Sequence, residues 1–150
     1  LLEKASIVPA VNQIELNPFL YRRETLNYLE KKGIKVQAYR ALRDGKAFDD
    51  PTINAVASKH GATPARVLGA WCVAKGAIYM PKSTRRERMV ENADVFDLAA
   101  ALDADDFSQL DALTTPEAIA AYKALYEKCV VRDTPLDEDD PGIKRDITAG

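Results

Sequence analysis

Residues 11–18 read VNQIELNP and carry the strongest signal for the fold. Their β-branched and aliphatic residues predict a β-strand, but four polar side chains interrupt the apolar pattern. In a parallel sheet covered on both faces, these side chains would be buried at a free-energy cost unless the carboxyl end of the strand opens into a site. The alternative interpretation is an ordinary strand end, at which the Asn-Pro pair of residues 17–18 forms a turn.

Two further stretches read as strands of the same kind. The predicted strands cover residues 7–16, 34–42 and 77–80. In the first two, polar and apolar residues do not alternate cleanly, which favours strands covered on both faces. Helical segments lie between the strands, and parallel pairing needs such crossovers, so the sequence predicts an α/β fold with about three parallel strands and flanking helices. Three strands of this kind do not close a barrel.

Helix start and stop signals support this alternation. The first helix is predicted over residues 22–32, with Gly33 at the position where a helix end favours glycine. The Thr-Pro pair of residues 63–64 is a strong start signal for another helix, whose apolar stripe includes Trp71 and Cys72 and should be buried. Further helices are predicted over residues 51–60, from Ser83 or Thr84 to about residue 92, and from Asp103 onward.

The C-terminal part of the chain changes in character. Residues 1–114 are expected to form one folded unit, and a second Thr-Pro pair predicts an extra helix over residues 115–131. Residues 132–150 contain six acidic and three basic residues and few apolar anchors. This stretch is therefore predicted to be an acidic tail, partly disordered or laid over the surface.

The composition excludes several classes of function. The chain has 150 residues, with 21 basic and 23 acidic side chains, so its net charge of −2 gives no electrostatic basis for nucleic-acid binding. Its apolar runs fall far short of the roughly 20 residues of a membrane span. Two cysteines and the absence of a signal-peptide pattern favour a reducing, cytoplasmic setting. Because the chain starts with Leu1 rather than Met, we expect upstream sequence to be missing.

Basic residues crowd residues 80–88, which read MPKSTRRER. This segment joins the end of the third predicted strand to the start of a helix, where the helix dipole disfavours cations. Backbone N–H groups, two hydroxyl groups and several cations together make a credible phosphate site. The alternative is a solvated basic helix end.

Few residues are candidates for an acid, a base or a nucleophile. His60 is predicted to cap backbone carbonyls at a helix end, and Cys72 to be a core residue. Cys129 has no histidine near it in sequence, which argues against a catalytic thiol. Tyr39, at the end of the second strand, is either an aromatic plug or a surface on which a ring stacks. No cluster has the spacing of a metal site.

Four motifs occur together and in order across residues 1–114. They are residues 8–18 (VPAVNQIELNP), 33–39 (GIKVQAY), 59–65 (KHGATPA) and 81–84 (PKST), the last followed by Arg88, Glu91 and Asn92. In combination they resemble the C-terminal half of an aldo-keto reductase. The resemblance implies that the chain is the C-terminal part of a (β/α)8 barrel, a fold of about 250 residues, and that the family's cofactor is NADPH.

The resemblance also assigns roles to the residues singled out above. Gln13 is similar to the residue that hydrogen-bonds the nicotinamide carboxamide, and Tyr39 to the residue whose ring stacks on the nicotinamide. Leu42 is expected to line the path of the pyrophosphate. The implied contacts at the adenosine end are Lys82, Arg88, Ser83 and Thr84 to the 2′-phosphate, and Glu91 and Asn92 to the adenine.

Two features set this chain apart from the family pattern. The family usually reads Tyr-Ser-Pro-Leu where this chain has residues 39–42, YRAL. The family's catalytic Asp, Tyr, Lys and His belong to the N-terminal half, and no position here matches them. The implied function is therefore part of a reductase of small carbonyl substrates, inactive as the present chain alone. The alternative is a non-catalytic module that binds NADPH or self-associates through its open sheet edges.

Overall fold

The fold is built on a three-stranded parallel sheet. The computed structural model describes residue 2 and residues 4–121. The strands are β1 (Val11–Glu15), β2 (Lys35–Tyr39) and β3 (Ile78–Tyr79), in the spatial order β1-β2-β3. Gln13 lies opposite Gln37, and Gln37 lies opposite Ile78. The prediction of three parallel strands with flanking helices is confirmed.

The helices surround this sheet. They are α1 (Arg23–Lys31), α2 (Pro51–Lys59), α3 (Pro64–Ala74), α4 (Arg86–Ala93), α5 (Phe96–Ala101) and α6 (Ala104–Asp111), with a 3₁₀ turn at Arg43–Gly45. Residues 116–121 are also helical. The rest of the predicted extra helix, residues 122–131, and the predicted acidic tail, residues 132–150, lie outside the described residues.

The sheet has one covered face and one open face among the described residues. Ile14 and Ala38 are fully buried in the core that α3 completes with Trp71. Successive strand residues point to opposite faces, and on the other face Val11 is 42% and Ile78 44% exposed. Among the described residues, the expected covering is therefore present on the face that packs against α3, while Val11 and Ile78 on the other face stay exposed.

The strands are shorter than predicted because the flanking residues leave the ladder. Ile7 is 81% exposed, so nothing holds it in a sheet. After β2, Arg40 has φ = +50°, which turns the chain out of the extended conformation. The apolar pattern therefore extends beyond the residues that actually pair.

Most predicted helix ends are confirmed. Gly33 follows Lys32, the C-cap residue of α1, and has φ = +71°. The amide of Ile34 donates a hydrogen bond of 2.9 Å to the carbonyl of Leu29. These are the features of a Schellman motif, which needs the left-handed conformation that glycine adopts without strain. At the start of α3, the Thr63 hydroxyl accepts a hydrogen bond from the Arg66 amide at 3.3 Å.

Three details differ from the predictions. The N-cap of α4 is Arg85, with no side-chain cap, whereas Ser83 or Thr84 was expected. Helix α5 was not predicted, because its six residues begin without a side-chain cap. His60 is the C-cap of α2, but its Nε2 contacts Asp106 Oδ2 at 2.8 Å instead of a backbone carbonyl.

Candidate functional site

A cavity of about 470 Å³ opens at the carboxyl ends of β2 and β3 and at the start of α4. Parallel α/β sheets commonly bind ligands at this edge, because the connecting loops leave a crevice there. The predicted cofactor-binding residues that line it are Leu42, Lys82, Ser83, Arg88, Glu91 and Asn92. The fold therefore gathers side chains from three separate segments around one space.

Gln13, Tyr39 and Thr84 lie outside the lining of this cavity. The Gln13 amide nitrogen donates to Gln37 Oε1 at 3.0 Å and lies 3.5 Å from Met80 Sδ, and Met80 does line the cavity. Tyr39 is the last residue of β2 and pairs in register with Glu15. Strand alternation sets Gln13, Gln37 and Tyr39 on one face, so a polar row leads toward the cavity.

Two of the cavity's cations have no carboxylate partner in the part of the chain that the structure describes. Within the described part of the chain, neither Lys82 nor Arg88 forms an ion pair, and both are exposed. The carboxylate of Glu91, which also lines the cavity, binds Thr63 instead of either cation: its Oε1 accepts a hydrogen bond of 2.6 Å from the Thr63 hydroxyl. The open end of the cavity therefore presents positive charge.

The start of α4 adds backbone donors beside these cations. Ser83 Oγ accepts a hydrogen bond from the Arg85 amide at 3.1 Å and so forms a turn before the helix. The first-turn amides of α4 receive no side-chain cap. Uncapped amides at a helix start favour an anion because of their partial positive charge.

Asn92 is a buried polar residue in the lining of the cavity. Its side chain is buried, and its Oδ1 accepts a hydrogen bond of 3.4 Å from the Tyr79 hydroxyl. Burial raises the pKa of Tyr79 far above its ordinary value, and the nearby carboxylate of Glu91 acts in the same direction. Tyr79 therefore keeps its proton and acts as a structural donor.

Arg40 is the member of this site whose surroundings were not foreseen. Its guanidinium lies 3.5 Å from Glu15 Oε2 and 2.6 Å from Asp44 Oδ2. The signal in the sequence was the departure of residues 39–42 from the family pattern. The contact with Glu15 could not be inferred, because Glu15 belongs to a different strand, whereas Asp44 lies only four residues after Arg40.

Other kinds of site are not formed by the described residues. No three His, Cys, Asp or Glu side chains of residues 2 and 4–121 come together as metal ligands do. Over the same residues, no helix combines the length and the apolar surface needed to cross a bilayer.

Comparison with known proteins agrees with the geometry. Residues 1–115 match the profile of the aldo/keto reductase family. The chain belongs to this family. Among its relatives, an aldo-keto reductase of Mycolicibacterium smegmatis is 43% identical over 115 residues, which cover 77% of this chain and 41% of the relative.

Two other relatives have more specific names. The glyoxal reductase of Bacillus subtilis is 35% identical over 119 residues, with coverage of 79% of this chain and 42% of the relative. The methylglyoxal reductase DkgB of Salmonella typhimurium is 39% identical over 117 residues, with coverage of 74% and 43%. The chain thus spans about two fifths of the length of these relatives.

Solved structures, among them aldo-keto reductases, share the fold of this chain. The apo form of Gox0644 superposes with a TM-score of 0.73 at 36% identity and covers 78% of this chain and 42% of that one. MGS-M4, an aldo-keto reductase from a Medee basin deep-sea metagenome, superposes with a TM-score of 0.72 at 31% identity. The match covers 76% of this chain and 43% of MGS-M4. A variant of Gox0644 was solved in complex with NADPH. It superposes with a TM-score of 0.72 at 36% identity, with the same coverage as the apo form. The three strands and flanking helices are therefore part of an aldo-keto reductase barrel.

Proposed function

We propose that this chain is the NADPH-binding portion of an aldo-keto reductase that reduces aldehydes or ketones to alcohols. The observation that carries the proposal is the cavity where Lys82 and Arg88, beside the uncapped start of α4, have no carboxylate partner among the described residues. An anionic ligand fits this combination, because it compensates the cations and accepts from the backbone amides.

The proposal assigns a part of NADPH to each of the predicted site residues. In the proposal Lys82, Ser83, Thr84 and Arg88 bind the 2′-phosphate, Leu42 lines the pyrophosphate path, and Glu91 and Asn92 contact the adenine. At the other end, Gln13 orients the carboxamide and Tyr39 covers one face of the nicotinamide ring. When bound, NADPH supplies the hydride for reduction of the carbonyl.

Proton donation belongs to residues that have no match in this chain. A tyrosine, with its pKa lowered by a lysine, would protonate the carbonyl oxygen in the complete enzyme. The chain alone is therefore expected to be inactive. The names of the glyoxal and methylglyoxal reductases support small aldehydes as substrates of the complete protein. Oxidation of NADPH with these aldehydes, by a longer chain that includes upstream sequence, tests the activity.

The cofactor site is tested by binding to the chain itself. Lys82→Ala and Arg88→Ala should each weaken NADPH binding about tenfold or more, since each removes a charged hydrogen-bond donor. The same variants should leave NADH binding nearly unchanged, because NADH lacks the 2′-phosphate. Calorimetric titration measures both ligands. Lys31→Ala, which removes an exposed cation from α1, serves as the control.

Equal affinity of the native chain for NADPH and NADH would contradict the assignment of Lys82 and Arg88. A chain that binds neither dinucleotide would contradict the proposed function as a whole.

A second candidate function is a non-catalytic module that binds NADPH or self-associates. It is favoured by the open face of the sheet, where Val11 and Ile78 are exposed. Unpaired strand edges and exposed apolar side chains promote association between chains.

A further inference from the structure

Arg40 is held by two carboxylates in very different surroundings. The side chain of Glu15 is 4% exposed and that of Asp44 is 63% exposed, while Arg40 itself is 24% exposed. A buried carboxylate that loses its partner is left with an uncompensated charge, whereas an exposed carboxylate is readily hydrated. The contact with Asp44 is therefore the one that can break.

Arg40 and Asp44 both line the cavity that contains Lys82 and Arg88. Leu42, which is expected to line the pyrophosphate path, stands between them in the chain and lines the same cavity. Arg43 has a different neighbour, since its guanidinium lies 4.2 Å above the ring of Phe19. Arg40 is thus the arginine of this loop that faces the cavity.

We propose that Arg40 binds the diphosphate of the dinucleotide by exchanging partners. In the free chain Asp44 neutralises Arg40, and on binding the diphosphate replaces Asp44 while Glu15 keeps the guanidinium in place. A guanidinium suits this exchange, because its several N–H donors can bind a carboxylate on one side and a phosphate on the other. The inference rests on the proposed function, because it assumes a dinucleotide in this cavity.

Removing the competing charge should strengthen binding. Asp44→Asn is expected to tighten NADPH binding about two- to fivefold, the range set by an exposed ion pair. Asparagine also tolerates the backbone at this position, where φ = +57°. Adenosine 2′-phosphate, which lacks a diphosphate, should bind equally to the variant and to the native chain. Glu30→Gln removes the same charge from α1 and should change neither affinity.

Removing the guanidinium should have the opposite effect. Arg40→Gln is expected to weaken NADPH binding about tenfold or more and to leave adenosine 2′-phosphate unaffected. Since this variant removes the contact between Arg40 and the buried carboxylate of Glu15, Glu15→Gln/Arg40→Gln is measured alongside it. In the absence of Arg40, Asp44→Asn should no longer tighten binding.

The outcomes separate this proposal from the one before it. If the native chain binds NADPH but Asp44→Asn fails to tighten it, the exchange is overturned and the cofactor site stands. Equal tightening of NADPH and adenosine 2′-phosphate would also overturn it, since the effect would then be general charge. A native chain that binds neither ligand overturns both proposals.

Discussion

At the scale of single residues, Asp106 shows how one buried carboxylate joins two helices. It accepts hydrogen bonds from Lys59 at 2.8 Å and from the backbone amide of Asp103 at 3.0 Å, and it contacts His60 at 2.8 Å. Burial acts to raise the pKa of Asp106, but hydrogen bonds from Lys59, the Asp103 backbone and His60 outweigh it and lower the pKa to about 2. The end of α2 is thus tied to the start of α6.

Asp106→Asn should lower the free energy of unfolding by about 1.5–3 kcal/mol, because it replaces hydrogen bonds to a charged acceptor with weaker ones. Urea unfolding followed by circular dichroism measures the change. Asp105→Asn removes an exposed carboxylate from the same helical turn and controls for the helix dipole. Equal effects of the two substitutions would contradict the special role of Asp106.

The same carboxylate predicts a dependence of stability on pH. A carboxyl group whose folded-state pKa lies below its value of 3.8 in the unfolded chain stabilises the fold above that value. This contribution is lost as the pH falls from about 4 toward 2. The Asp106→Asn variant should therefore lose less stability than the native chain over this interval.

At the scale of elements, the approach of α3 to its neighbours depends on Gly69. A Cβ atom at this position would lie 2.9 Å from the ring of Tyr79 and 2.9 Å from Val95 Cγ1. Atoms that close repel, so the backbone of α3 can reach β3 and the start of α5 only without a side chain here. Glycine lowers the helix propensity of this position but allows the close packing.

Gly69→Ala should destabilise the chain by about 1–3 kcal/mol through overpacking, although alanine is the better helix former. The midpoint of urea unfolding provides the measurement. Ala74→Gly, at an exposed position of the same helix, calibrates the propensity difference and should cost up to about 1 kcal/mol. A rise in stability for Gly69→Ala would show that the contact relaxes.

Local patterns predicted elements well and contacts between them poorly. The start of α3 at Thr63 and the end of α1 at Gly33 follow from neighbouring residues, and both are confirmed. The partner of His60 stands 46 positions away, so no local signal indicates it. Likewise Arg40 was noted for its position, but its contact with Glu15 depends on how β1 and β2 align. The roles of the cofactor-binding residues remain predictions.

At the scale of the whole molecule, the sheet has two outer edges. Among the described residues, β2 is the central strand, and β1 and β3 each pair only with β2. The outer edges of β1 and β3 therefore have no partner strand among these residues. Ile78 and Met80 are exposed near the β3 edge, and Val11 near the β1 edge. Such edges accept a further strand or a second chain.

We expect the isolated chain to self-associate through these edges. Light scattering coupled to size-exclusion chromatography should show species larger than a monomer, and Val11→Lys and Ile78→Lys should shift them toward the monomer. A lysine at an edge opposes pairing because its charge resists burial. Tyr28→Lys, at an exposed position of α1, is the control. A monomeric native chain would contradict this expectation.

Cys72 is a buried free cysteine whose reactivity depends on whether the core is closed. Its thiol is fully buried and donates to the Leu16 carbonyl oxygen at 3.6 Å, and burial raises the pKa of Cys72 to about 12. Alkylating reagents react with the thiolate, so this sulfur is protected both by its inaccessibility and by its retained proton. It becomes reactive only when α3 separates from the sheet. In a Cys129→Ser background, the rate of alkylation therefore reports how often the core opens.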